Sequence, residues 1–371
     1  MSELRQFNDR QRVAVANLRQ RYEAWLTCAR RHEVFDFTLK WAGPGQKYLY
    51  RITDSKTGGG ISQGPRSPQL EELYARQRTI RAEAAAREQS VYAELLQDAA
   101  VYRALGLGLL ASEAAAILRL ADVFGFLGTR LMVIGTNAIA AYELEAGCRF
   151  ARAVESTEDF DIAWAAEPGS IFVASGGRDA GAWPLPDAFD RADPIEAILA
   201  QLATPRPATV RELLRRRNPT YTVNTERRFQ LRDDRGYEVE ILLAPALAAS
   251  FPKAERLAPI PLPEQDWLLR GRRVSHVVCA RDGKPARLEV PDPRYFALRK
   301  LWLAQQTKRH ADKRPKDAAQ GRLVLDAVAL HMPLYPLDGA FRDELPAPLQ
   351  PHFDAWRVDF RARPAAQRSR W

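Results

Sequence analysis

Asp159 and Asp161 stand one residue apart, in a run where Phe160, Ile162 and Trp164 alternate with Asp159, Asp161 and Ala163. A period of two is that of a β-strand, so the two carboxylates fall on one face. Side by side they raise each other's pKa unless a cation sits between them. A hard, oxygen-seeking ion such as Mg²⁺ fills that role and readily shares its shell with substrate phosphates. Upstream, residues 131–134 form an apolar run suited to a buried strand, and Gly135 ends it. Thr136 is placed to cap the following helix, which carries Ala138, Ile139, Tyr142 and Leu144. A Gly-Thr turn at a helix N-terminus offers backbone N–H groups and a positive dipole end to phosphates. Phosphate site and metal site on adjacent elements make a layout for phosphoryl or nucleotidyl transfer.

The flanking chain must hold these elements. Residues 2–31 read as a helix with a broken apolar stripe. Residues 35–41 and 47–53 alternate in polarity and are joined by Ala42-Gly43-Pro44-Gly45, the pattern of a hairpin. Lys40, Lys47 and Arg51 lie there beside Tyr48 and Tyr50, a mixture that fits a nucleic-acid contact or a solvated sheet face. The Gly-rich stretch 56–67 lacks the Gly-Lys-Ser/Thr ending of a P-loop and reads as a turn. Ser67-Pro68 opens a helix to about residue 105, and Ser112 is expected to cap another over 113–124. Beyond Trp164 the chain is loop-rich and reads as an insertion over one sheet edge, followed by a capping box at Asp193-Pro-Ile-Glu196. Residues 210–217 hold four arginines, facing either a polyanionic partner or solvent. Strands follow at 221–223, 229–232, 237–243, 274–279 and 286–290. Asp292 then caps a helix over 294–306, another runs over 318–330, and 333–371 is a proline-rich set of irregular helices. On the strand 237–243, Glu238 and Glu240 share one face.

Gly135-Thr136, the helix after it and Thr157-Glu-Asp-Phe-Asp161 resemble the signature of the DNA polymerase β-type nucleotidyltransferase superfamily. The variant Gly135-Thr136-Asn137-Ala138 with Tyr142-Glu143 is similar to an uncharacterised bacterial branch of that superfamily. The resemblance implies an α+β fold, a mixed sheet flanked by helices. It divides the chain into an N-terminal helical extension with a small hairpin (1–110), a catalytic core (111–290) and a C-terminal helical region (291–371). It also implies a third metal-binding carboxylate on a neighbouring strand. Glu240 matches by local pattern, with Glu238 in reserve and Asp commoner at that place. Lys300-Leu301 and Lys316-Asp317 resemble elements that neutralise departing pyrophosphate, with Asp317 orienting one of the bases. The expected activity is Mg²⁺-dependent transfer of an NMP from an NTP such as ATP to an acceptor hydroxyl. Asp159, Asp161 and Glu240 would hold two metal ions, and Gly135, Thr136, Asn137, Lys300 and Lys316 the nucleotide. The alternative is a non-catalytic nucleic-acid-binding or regulatory protein on the same fold; a hydrolytic phosphoesterase is disfavoured because no His/Asp cluster is visible.

The chain is 371 residues long, 46% apolar and 27% charged, ordinary for a globular protein with a sizeable core. Its net charge is +9, and residues 1–90 carry 16 Lys and Arg against 10 Asp and Glu. A second basic segment, residues 299–322, has eight against two. Such excess fits either a polyanionic partner or the solubility of an arginine-rich surface; the basic N-terminal hairpin tilts the expected acceptor toward RNA or a tRNA end, ahead of a protein or small molecule. Three widely spaced cysteines fit a reducing cytoplasm and neither a disulfide framework nor a zinc site. No apolar run reaches membrane-spanning length, and the first twenty residues carry charge throughout, so neither a membrane span nor a secretory leader is expected.

Overall fold

A computed structural model describes residues 4–54, 57–150, 160–165 and 193–364. In chain order these form β1 (Leu4–Gln6), α1 (Asp9–Phe35), β2 (Thr38–Ala42), β3 (Tyr48–Ile52), β4 (Gly60–Pro65) and α2 (Pro68–Ala104). Next come β5 (Leu109–Leu110), α3 (Ser112–Val123), β6 (Leu131–Val133), α4 (Ile139–Ala146), β7 (Cys148–Phe150) and β8 (Phe160–Trp164). After α5 (Pro194–Gln201) and α6 (Val210–Arg217) follow β9 (Thr222–Val223), β10 (Gln230–Arg232) and β11 (Glu238–Leu242). The rest comprises β12 (Val274–Ala280), β13 (Pro285–Val290), α7 (Pro293–Ala304), α8 (Lys313–His331), α9 (Gly339–Glu344) and α10 (Gln350–Ala362). The fold is α+β, with mixed sheets flanked by helices, as expected.

The chain gathers into two compact units. One comprises the described parts of Met1–Arg19, Asp98–Phe172 and Thr209–Trp371. Its main sheet has the order β6-β8-β11-β10-β9, with β8 and β11 parallel and the other pairs antiparallel. Phe160, Ile162 and Trp164 of the interior strand β8 are almost wholly buried, as are Val239 and Ile241 of β11. A second sheet, β13-β12-β5, is built on the hairpin of β12 and β13. The helix pair α7 and α8 packs closely because Gly321 has no side chain: a β-carbon there would come within 2.7 Å of the Ala297 carbonyl oxygen. The other unit, Gln20–Gln97 with the described part of Val173–Ala208, holds the three-stranded antiparallel sheet β2-β3-β4.

Several local expectations change. The first helix begins at Asp9, because Asn8 and Gln11 exchange side-chain bonds with each other's backbone N–H groups at 3.0 and 2.9 Å and stop it there. Residues Leu4–Gln6 instead pair with β7. The Gly-rich stretch supplies an edge strand, β4, where the expectation was a turn: at Gly60 a β-carbon would meet the Arg51 carbonyl oxygen at 2.7 Å, so glycine permits the approach to β3. Ser112 does not cap α3; its hydroxyl accepts from Asp282 N–H at 3.2 Å. Asp193 caps α5 and Asp292 caps α7, as the sequence indicates. The expected insertion after Trp164 falls largely outside the described residues.

Candidate active site

Strand β6 runs antiparallel to β8, pairing Val133 with Ile162. One residue on, Ile134 N–H donates to the Asp161 carbonyl at 3.1 Å. The chain therefore leaves the sheet level with Asp161, and the turn that follows is pressed against that carboxylate. Gly135 takes φ +71°, and a β-carbon there would lie 3.3 Å from Asp161 Cβ and overlap its Oδ2. Glycine is required twice over, by conformation and by contact. Residues Gly135–Ala138 form one turn of 3₁₀ helix leading into α4, with Gly135 and Asn137 buried and Thr136 half-buried. Thr136 does not cap this helix. Its hydroxyl accepts from Nε2 of Gln320 at 3.3 Å, because α8 lies close enough to claim it.

The carboxylate expected as the third stands one strand away. In the parallel pair of β8 and β11, Glu240 is the register partner of Asp161, so the two side chains project from the same face. Gln230 on β10, in register with Glu240 and fully buried, donates to its Oε1 at 2.5 Å. Asn224 donates in turn to Gln230 Oε1 at 3.2 Å. Glu238 is turned to a different partner: its Oε1 lies 3.9 Å from Arg232 Nε. Asp159 lies outside the described residues. Among the described residues no group of three or more His, Cys, Asp or Glu side chains is close enough together to hold a metal. Asp161 and Glu240 supply two oxygen ligands of the hard type that Mg²⁺ takes, so the donor set fits that ion.

Helices α7 and α8 bring positive charge to the same place. Arg299 is buried, and Glu264, Asp161 and Asp317 act on its charge. Burial pulls its guanidinium down to about 10, still cationic at neutral pH, and its Nε is buried with no hydrogen-bond partner. The neighbouring Lys300 is also buried, with Nζ 2.6 Å from Asp317 Oδ1; Arg309 Nε reaches the other oxygen at 2.8 Å. Burial draws Lys300 below its ordinary value despite the carboxylate beside it. Burial alone would raise Asp317, but Lys300 and Arg309 outweigh it and hold the acid low. Asp317 thus orients two bases, and Lys300 is a locked member of an ion cluster where the sequence pointed to a lysine reaching toward phosphate. Lys316 is half-buried on α8.

Two residues of this arrangement, Gln230 and Gln320, went unremarked in the sequence, and Arg299 entered only as one charge of the basic segment 299–322. Gln320 is completely buried, and its Oε1 has no hydrogen-bond partner. Its signal was present, since it lies three residues after Asp317 and so shares that face of α8. The arginine cluster of α6, by contrast, has structural work: Arg216 lies over the Phe124 ring at 4.8 Å, and Arg217 pairs with Glu113 at 3.2 Å. In the middle of α4, the Tyr142 hydroxyl donates to the Pro291 carbonyl at 3.0 Å and its ring packs on Phe296. The helix behind the Gly-Thr turn is thereby fastened to the start of α7.

No curated protein and no solved structure matches this chain. The family model described as Nucleotidyltransferase matches residues 112–346, which take in the Gly-Thr turn, both carboxylate strands and the basic helix pair. With more than half its length so matched, the chain belongs to that nucleotidyltransferase family and is an enzyme that transfers nucleotides.

Proposed function

We propose that this enzyme is of the polymerase β type and moves an NMP from an NTP to an acceptor hydroxyl, releasing pyrophosphate, with Mg²⁺ as cofactor. The observation that carries the reading is the contact between the Gly135 turn and the Asp161 carboxylate, which supports a phosphate cradle beside a metal ligand. Asp161 and Glu240, with Asp159, would hold two Mg²⁺ ions, whose chemistry when bound is to neutralise charge at the α-phosphate and acidify the attacking hydroxyl. The backbone of Gly135, Thr136 and Asn137 binds the triphosphate tail. Gln320 fixes the Thr136 hydroxyl, and Gln230 fixes the Glu240 carboxylate.

In the step itself the acceptor oxygen bonds to the α-phosphorus as the bond to the bridging β-phosphate oxygen breaks; the hydroxyl proton passes to solvent. Negative charge grows on the leaving pyrophosphate. Arg299, Lys300 and Lys316 stabilise it, Lys300 through the field of its ion cluster and Arg299 as a buried cation that interacts with Asp161. Family membership favours this reading over a non-catalytic protein on the same fold. The acceptor we propose is an RNA end such as that of tRNA, and the compartment the cytoplasm. Three free cysteines and the lack, among the described residues, of any helix long and apolar enough to cross a membrane are consistent with that.

The test is Mg²⁺-dependent pyrophosphate release from the four NTPs with total cellular RNA. Asp161→Asn should lower the rate by more than about 100-fold while the far-UV circular dichroism is unchanged. Full Mg²⁺-dependent activity in that variant would remove Asp161 from the site.

A further inference from the structure

The sheet β2-β3-β4 has one buried face and one open face. Leu39 and Leu49 point inward and are nearly inaccessible. On the other face the register aligns Lys40 with Tyr50 and Tyr50 with Ser62, while Ala42 pairs with Tyr48 and Thr38 with Ile52. Alternation puts Tyr48 and Tyr50 on this face together, ~6.6 Å apart along the strand. Tyr48 is 42% exposed, Lys40 and Lys47 are exposed, and Tyr50 is half-buried. Neither lysine has an ion pair among the described residues. Residues 38–66 carry five Lys and Arg against a single Asp.

From this surface we infer that the open face of β2-β3-β4 is a platform for single-stranded RNA. Two aromatic rings on one strand offer stacking surfaces to successive unstacked bases, and flanking lysines meet the backbone phosphates. An open row of Lys40, Tyr48 and Tyr50, with the exposed Lys47 in the turn before β3 and almost no acid, has polyanion complementarity that a protein partner's mixed surface lacks. Hydroxyl groups on Thr38, Tyr48, Tyr50 and Ser62 line the same face and can pair with ribose 2′-hydroxyls, which DNA does not have. The inference deepens the proposed transfer to RNA and rests on it for the purpose of binding; the surface argument is independent of the catalytic residues.

The experiment is fluorescence anisotropy of a labelled 12-nucleotide single-stranded RNA of mixed sequence with the full chain, without NTP. Tyr48→Ala/Tyr50→Ala should weaken binding at least tenfold. Tyr48→Phe/Tyr50→Phe should retain it, with a smaller preference over DNA of the same sequence. Lys40→Gln/Lys47→Gln, at exposed positions that do not threaten folding, should reduce the slope of log affinity against log salt by about 1.4. Asp161→Asn should bind RNA as the unaltered protein does, so that loss of transfer and loss of binding are separable. An alanine pair that binds within twofold of the parent, an unchanged salt slope, equal affinity for the DNA strand, or loss of binding in Asp161→Asn would each overturn the platform.

Discussion

At Gly135 backbone and site chemistry meet in a single atom that is missing. The residue holds φ +71°, and the space a β-carbon would fill belongs to the Asp161 carboxylate. An alanine there pays the left-handed strain of about 1–2 kcal/mol and must also push the carboxylate away from Glu240. Gly135→Ala should therefore destabilise the protein by about 1–3 kcal/mol in urea unfolding and lower kcat by more than tenfold. A variant with undiminished kcat would show that Asp161 need not stand against the turn. Gln320 is the subtler residue: it grips Thr136 with its amide nitrogen while its buried carbonyl oxygen has no partner. Such an atom carries a desolvation cost that a bound group or water can repay.

Helices α7 and α8 matter as a pair. Their close approach at Gly321 lets Asp317 on one helix reach Lys300 on the other, while Arg309 in the connection closes the cluster. Removing one partner of such a buried pair leaves an uncompensated charge, which costs more than deleting the pair. Asp317→Asn should thus destabilise the fold by about 3–5 kcal/mol, and adding Lys300→Met to it should recover part of that loss. Chemical denaturation of the two variants checks the order. If the double variant were the less stable, the cluster would not be dominated by charge burial. Between α4 and the start of α7 the Tyr142 hydroxyl provides a second tie, through the Pro291 carbonyl.

For the molecule as a whole, pH acts through the buried carboxyls of Glu143 and Glu255. Burial raises the Glu143 carboxyl to about 7 from its ordinary 4.5, against the pull of the Phe150 N–H and Arg149. Glu255, which accepts from Val210 N–H with both oxygens, is likewise raised to about 7 by burial. Folded protein therefore keeps these protons between pH 4.5 and 7, where the unfolded chain has lost them. Stability from this source is complete below about pH 4.5 and falls as pH rises through about 7. Glu143→Gln keeps the Phe150 bond and cannot ionise, so it should exceed the parent in stability by about 2–3 kcal/mol at pH 8, with the gap closing toward pH 4.5. Unfolding curves at the two pH values decide it; a gap independent of pH would remove Glu143 as the titrating group.

Local sequence was sufficient wherever the signal was periodic or covalent. The alternation through Phe160, Ile162 and Trp164 set a strand with Asp161 off its buried face, and Asp193 and Asp292 announced helix starts. Gly135 was identifiable because glycine is the residue that most readily ends a strand in a tight turn. What the sequence could not decide was which residues meet across elements. Which of Glu240 and Glu238 stands opposite Asp161 depended on parallel register between strands almost eighty residues apart, and a two-residue slip would exchange them. Thr136 lost its capping role because α8 offered a better-placed donor, and Lys300 was drawn into an ion cluster because α7 packs against α8. Chain-local chemistry selects the groups; long-range packing, through register and helix contact, assigns each group its partner.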